Sequence, residues 1–480
     1  MKLAKRIMAA TLALTMTAGL FACGDNEDTS SDASSVAPGV DLNADQQAMV
    51  DAYADDSRLA DVELENKTIT WMAHYDINPT EGKVKSPAMQ LFETKYGGTI
   101  EWHQTTWENR YTDLASAVLS NESPDFFPAD DGDAFPRGAI SPMFQPIDDI
   151  IDLDSELWAG SKELCDQFVF RDSHYVAAIE ATPTYACVYN KTTIEANGFE
   201  DPAELYWAGE WDWDVFTDMC IEFTDSEQDM YALDGYWYTN ALSETSGVPL
   251  IGLEDGVIVQ NMSDPAIERV QERMYDLQLN GVVFPRATNN WNTRGDGANG
   301  EGLGSYLTLF IPIGLYALEC PPESREPFGP TEEVMFVPMP KEPDSDITYA
   351  SARVHGYLIC AGAPNPEGVA AYLNCEQVTN QAEDLQQIET DTLKNEYEWT
   401  DEMIEMREEL YRLAAEYPVF DFMYGVSDDL KKQMEDVSQA TMISGGNATT
   451  WGAARAEYES TIQYLVDEAN ESSGALEDVR

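Results

Sequence analysis

Positive charge is what this chain has least of. Against 88 Asp and Glu stand 27 Lys and Arg, and the formal net charge at pH 7 is −61. Nucleic acids and anionic membrane surfaces bind through Lys and Arg, so this balance excludes both as partners. Histidine is scarce, at 4 residues, and none of the 7 cysteines is spaced as Cys-x-x-Cys. A zinc or redox site therefore has no support, and no cofactor is expected. Gly-x-Ser-x-Gly, His-Glu-x-x-His and a Walker loop are all missing. Gly295-x-Gly297-x-x-Gly300 matches the dinucleotide fingerprint only formally, since it lies in a polar loop, follows no strand and opens no clear helix. Asp152-Leu153-Asp154 lacks the rest of a calcium loop. Past the N-terminus no apolar run is long enough to cross a bilayer.

What is present begins with a 43 % hydrophobic composition, enough for a core, which places the acidity on a solvated surface. At the N-terminus Lys2, Lys5 and Arg6 precede an uncharged apolar run, Ile7 to Leu20, the pattern of a secretory signal peptide. Leu20-Phe21-Ala22-Cys23 followed by Gly24 resembles the lipobox of bacterial lipoproteins. That resemblance implies cleavage after residue 22, a diacylglycerol on the Cys23 sulfur, and a place on the outer face of the cell membrane, or in the periplasm of a Gram-negative source. Residues 23–65, rich in Asp, Ser, Ala and Asn, read as a flexible acidic tether. The remaining cysteines, Cys165, Cys187, Cys220, Cys320, Cys360 and Cys375, either pair as disulfides or stay as buried thiols, since several lie inside apolar runs.

From residue 68 the pattern alternates. Thr68–Ala73 suits a buried strand, Pro87–Tyr96 a helix closed by Gly97-Gly98, and Thr99–His103 a second strand. Glu108–Ser120 puts Tyr111, Leu114, Ala115, Val118 and Leu119 on one helical face, and Asp125-Phe126-Phe127 returns to strand. A β-α-β-α-β series argues for an α/β fold with a parallel sheet covered by helices. Asp264-Pro265 and Asn365-Pro366 each open a further helix, with Ile267, Val270, Met274 and Leu277 at helical spacing in the first. Thr400–Tyr417 and the stretch from Asp428 to the end are mostly helical, and no internal repeat is visible.

Landmarks along residues 66–465 now accumulate in one order. Thr106-Trp107-Glu108-Asn109-Arg110-Tyr111 is followed by Ser123-Pro124-Asp125-Phe126-Phe127 and by Gln145-Pro146-Ile147-Asp148-Asp149. Then come Tyr175 to Glu180, Tyr185, Val188-Tyr189-Asn190-Lys191, Asn197-Gly198-Phe199 and Gly209-Glu210-Trp211-Asp212-Trp213. This series resembles the extracellular solute-binding proteins of bacterial ABC transporters, the carbohydrate-binding family that includes maltodextrin receptors. The Gly-Lys-Ala-Ala-Met entry and Gly-Pro-Trp of that family appear only as Gly300-Glu301-Gly302-Leu303 and Ile311-Pro312-Ile313-Gly314. The resemblance implies a two-lobed periplasmic-binding-protein-like fold with a hinge and an interlobe cleft, no catalysis, and a membrane permease as partner. It implies a first lobe of residues 66–178 and 332–376, a second of 179–331 and 377–480, and crossings near 178–180, 331–333 and 374–377. No sign of oligomerisation is seen, and a monomer is expected.

A sugar cleft needs aromatic platforms for the flat C–H faces of the rings and polar side chains that fix the hydroxyls. Ligands in open α/β sheets sit beyond the carboxyl ends of the strands. There His74, Tyr75 and Asp76 leave the first strand, Asp76 either touching ligand or capping the loop. Asp130 and Asp131 follow the third strand, one of them expected on ligand. Glu180, at the lobe junction, is the foremost polar candidate against a hinge hydrogen bond. Trp107 either stacks on ligand or staples its helix entry; Tyr185, Trp237, Trp291 and Trp451 are further stacking candidates. Arg353 either forks onto hydroxyls or serves an ion pair.

The leading expectation is thus a sugar or oligosaccharide receptor. A cationic non-sugar solute is the alternative that the acidity favours. A secreted glycoside hydrolase, which needs two carboxylates about 5 to 9 Å apart, is a third reading, and a surface adhesin a fourth.

Overall fold

The computed structural model describes residues 44–78, 85–129, 133–294, 302–320, 322 and 328–472. Cys23 and the Gly295–Gly300 pattern lie outside the described residues, as do Asp130 and Asp131. No helix among the described residues is long and apolar enough to cross a membrane.

The first sheet follows the expected strands. Thr68–Ala73 pairs in parallel with Thr99–Gln104 and, through Trp71 and Phe126, with Phe126–Pro128. Helix Pro87–Tyr96 between them is started by the Ser86 side chain, which accepts from the Met89 N–H, and by a proline in its first turn. It ends where Gly97 turns left-handed at φ 63°, a conformation that glycine adopts without steric cost. A long antiparallel ladder, Val176–Pro183 against Ala350–Ile359, completes this sheet. The ladder carries a bulge between His355 and Gly356, and a Cβ at Gly356 would meet the Ala177 carbonyl at 2.9 Å.

The second sheet runs in the order Val334–Val337, Ala186–Asn190, Thr308–Ile313, Tyr231–Leu233. Its core gathers Tyr189, Trp211, Trp213, Phe216, Phe310, Phe336 and Trp399. The molecule therefore has the two-lobed α/β fold.

Strand Val176–Pro183 passes into Ala186–Asn190 through Thr184 and Tyr185, and residues 338–349 return from the second sheet to the first. The third passage lies between helices Pro366–Asn380 and Asp401–Glu416. Each crossing is later in the chain than expected: the first-sheet ladder runs on to Pro183 before the first, the second sheet holds the chain to Val337 before the second, and helix Pro366–Asn380 runs to its end before the third. Ala181, Ala350, Ala352, Leu413 and Ala414 form a small apolar cluster of their own there.

Two further differences concern boundaries. Residues 44–65 are not tether: Ala44–Tyr53 is a helix, and Val50, Leu59 and Leu64 are buried in the first core. Scattered among acids, those three apolar residues gave no periodic signal, yet Tyr53 and Arg58 tie the segment to Asp384 and Gln381. The other difference lies at the far end: residues expected in the second lobe, Leu250 to Ile267 and Phe422 to Ala469, contribute to the apolar cluster around the first sheet. Hairpin Ile251–Gln260 and helix Trp451–Ser472 pack on each other and close against Phe135 and Phe168 through Phe422. All six cysteines among the described residues are free thiols, five of them buried.

Candidate functional site

A cavity of 640 Å³ opens between the lobes, where the crossing strands meet the carboxyl end of the first sheet. Its walls are mostly aromatic and carboxylic. From the end of the first strand come His74 and Tyr75, the latter fixed by the Trp71 indole, whose N–H donates to the Tyr75 carbonyl at 3.1 Å. Trp107 stands on the loop before helix Arg110–Ser120, with the His74 ring perpendicular to it at 5.0 Å. The guanidinium carbon of Arg110 lies 3.6 Å from the centre of the Trp107 ring.

Glu180 and His355 are register partners on the crossing ladder, and both line the cavity. Burial raises the Glu180 carboxyl above its ordinary pKa and nearby Glu376 adds to this, while His355 and Arg407 oppose it. Glu376 accepts hydrogen bonds from the hydroxyls of Tyr357, at 3.1 Å, and Tyr372. Below them Arg407 is clasped by Glu319 and Glu389, with the Tyr411 hydroxyl 3.3 Å away. Burial still pushes Glu389 up to about 7 against the pull of Arg407.

The opposite wall holds a second acid pair. The Asp421 carboxylate accepts from the backbone N–H groups of Leu250, Ile251 and Met423, yet burial pushes it up to about 6. Glu244, 7 % exposed, is pushed up to about 8, first by burial and then by the charge of Asp421. The Asn240 amide reaches the Tyr424 hydroxyl at 3.4 Å. Groups of this kind, rings beside side chains that donate or accept, match the faces and edges of a polyhydroxylated ligand.

Of the residues singled out in the sequence, Trp107, Glu180, Tyr185, Trp237 and Arg353 line this one cavity. Arg353 has no ion pair and no side-chain hydrogen bond among the described residues, so its guanidinium is available to the cavity. Asp76 is not in the lining: its carboxylate accepts from the Asn78 backbone N–H at 2.8 Å and caps the turn. Trp291 stands on a left-handed turn, 58 % exposed and outside the cavity. Trp451 is a core residue, 2 % exposed, its indole N–H donating to the Met262 carbonyl at 3.1 Å. It opens the last helix on the same side as Ala454, Ile462 and Val466, the side that packs inward. Asp133, two residues beyond Asp131, does line the cavity, and so do Tyr236, Tyr316, Glu244, Glu376, Glu389, Tyr411, Asp421 and Tyr424, which the sequence reading passed over. No His, Cys, Asp and Glu group among the described residues is arranged to hold a metal ion. Asp152 instead caps its own turn, accepting from the Asp154 N–H at 3.1 Å.

A scan against protein-family models and a search among curated proteins find no match. Solved structures do match in fold. An ABC substrate-binding protein from Listeria monocytogenes, in complex with cycloalternan, superposes with a TM-score of 0.56 at 13 % identity, covering 85 % of this chain and 98 % of that one. The GacH receptor of Streptomyces glaucescens, solved unliganded and with acarbose, gives 0.55 at 15 %, covering 84 % and 98 %. A cyclo/maltodextrin-binding protein complexed with maltotetraose gives 0.54 at 13 %, covering 86 % and 98 %. The two-lobed solute-binding fold thus extends over most of the described chain.

Proposed function

We propose that this chain is the ligand-binding component of an ABC uptake system, closing its two lobes on a sugar or oligosaccharide and doing no chemistry on it. The observation that carries this is the interlobe cavity, where Trp107, Tyr185, Trp237 and other rings converge with Glu180, Arg353 and Asn240 on one space. The fold neighbours support the class, since they are binding proteins crystallised with cycloalternan, acarbose and maltotetraose. Strands that cross between lobes confine the backbone changes of closure to a few residues, which suits a receptor. The partner in this reading is a membrane permease that engages the closed form. The lipobox-like Leu20–Cys23 segment supports tethering by lipid to the outer face of the membrane.

The test is calorimetric titration and thermal shift with maltotetraose, cellotetraose, xylotetraose and mannotetraose, followed by chromatography of each mixture. Expected are binding heat and a raised melting temperature with at least one tetrasaccharide, and its recovery intact. Response to none of them but to spermidine overturns the saccharide reading in favour of a cationic solute, and shortened products overturn the non-enzymatic one.

A further inference from the structure

We infer that Arg110, which does not itself line the cavity, positions Trp107 as the ligand platform of the first lobe. The inference rests on the saccharide reading of the same site.

Trp107 comes from the turn before helix Arg110–Ser120, and its ring also meets that of His74. Arg110, three residues on, restrains it twice. Its guanidinium carbon sits 3.6 Å from the indole centre, and the same group donates a hydrogen bond to the Trp107 carbonyl. The ring and the backbone that carries it are therefore held by one planar cation. Arg110 is 4 % exposed and is not among the residues that line the cavity, whereas Trp107 and Asp133 are. Its own orientation is fixed by Asp133, whose carboxylate accepts at 2.6 Å, and by the Tyr111 ring at 4.5 Å. Tyr111 donates its hydroxyl to the same Asp133. The chain Tyr111–Asp133–Arg110–Trp107 backs a stacking surface with a buried, hydrogen-bonded plate, so the ring is ordered before ligand arrives. Ordering a loop side chain in advance removes a cost that binding otherwise carries.

The test is a double-mutant cycle on affinity for the tetrasaccharides named above, using wild type, Arg110→Lys, Trp107→Ala and the double variant. Lysine keeps the charge and loses the plane. Arg110→Lys is expected to weaken binding roughly fivefold to tenfold when Trp107 is present and less than about twofold in the Trp107→Ala background, with a weakened near-ultraviolet dichroism band from the indole. Equal losses in both backgrounds, or no loss in a folded Arg110→Lys protein, overturn the inference. Should Arg110→Lys fail to fold, Asp133→Asn in the same cycle decides it, an equal effect with and without Trp107 being the negative result. A wild type that binds tetrasaccharide as tightly as Trp107→Ala refutes the inference and leaves the receptor reading standing. A wild type that binds none refutes both.

Discussion

Glu244→Gln is the substitution whose effect follows most directly from the structure. Glu244 lies on the cavity wall, 7 % exposed, and its carboxyl is pushed from 4.5 up to about 8, first by burial and then by Asp421. With the folded pKa above the unfolded one, the folded state holds a proton that the unfolded state has lost over the whole interval. The contribution to stability is therefore fully present below pH 4.5 and is lost as pH rises toward 8. At about 1.4 kcal/mol per pH unit, the loss between pH 4.5 and neutrality is about 3 kcal/mol. An amide has no proton to lose there. Urea unfolding of both proteins across this range should show the variant gaining on the order of 3 kcal/mol on the wild type by pH 7, groups remote from the Glu244–Asp421 pair cancelling in the difference. Stability curves that stay parallel within about 0.5 kcal/mol would refute the reasoning.

Two further outcomes are expected. Trp451→Ala removes a core indole and its bond to Met262, so it should cost about 3–5 kcal/mol in chemical unfolding while the folded variant keeps wild-type ligand affinity; a selective loss of affinity would return Trp451 to the site. Native protein starting after Cys23 should react quickly with a thiol reagent at Cys320 alone, because Cys165 is pushed up to about 11 by burial and Cys187, Cys220, Cys360 and Cys375 are raised likewise; a second fast thiol, found by peptide mapping, counts against the buried arrangement.

The first sheet was legible because each of its elements carries its own short-range signal: an apolar run at Thr68–Ala73, a serine, a proline and a glycine bounding Pro87–Tyr96, and a helical stripe of Tyr111, Leu114, Ala115 and Val118, from which Leu119, expected on it, departs by being 84 % exposed. That Glu180, Tyr185 and Arg353 line the cavity was legible because Tyr185 sits where a strand leaves the first sheet and the other two lie on the crossing ladder beside it, a place that the order of landmarks identifies. Trp451 was misplaced although its helix shows the reason, with Ala454, Ile462 and Val466 marking the buried side. Glu376 had a readable cue as well, lying one helical turn after Tyr372. Glu244 and Asp421 had none. They come from segments far apart in the chain, and in a sequence with 88 acidic residues only burial distinguishes them.

That residues near both ends of the described chain share the first core bears on the order of folding. Most of the second core comes from the continuous stretch 186–337, whereas the first needs Ile69 and Val466 together. Long-range closure of that sort is slow and waits for the last segment to be made. During synthesis the second core waits for Leu393 to Leu410 and the first for Val466, so neither can close before most of the chain has been made.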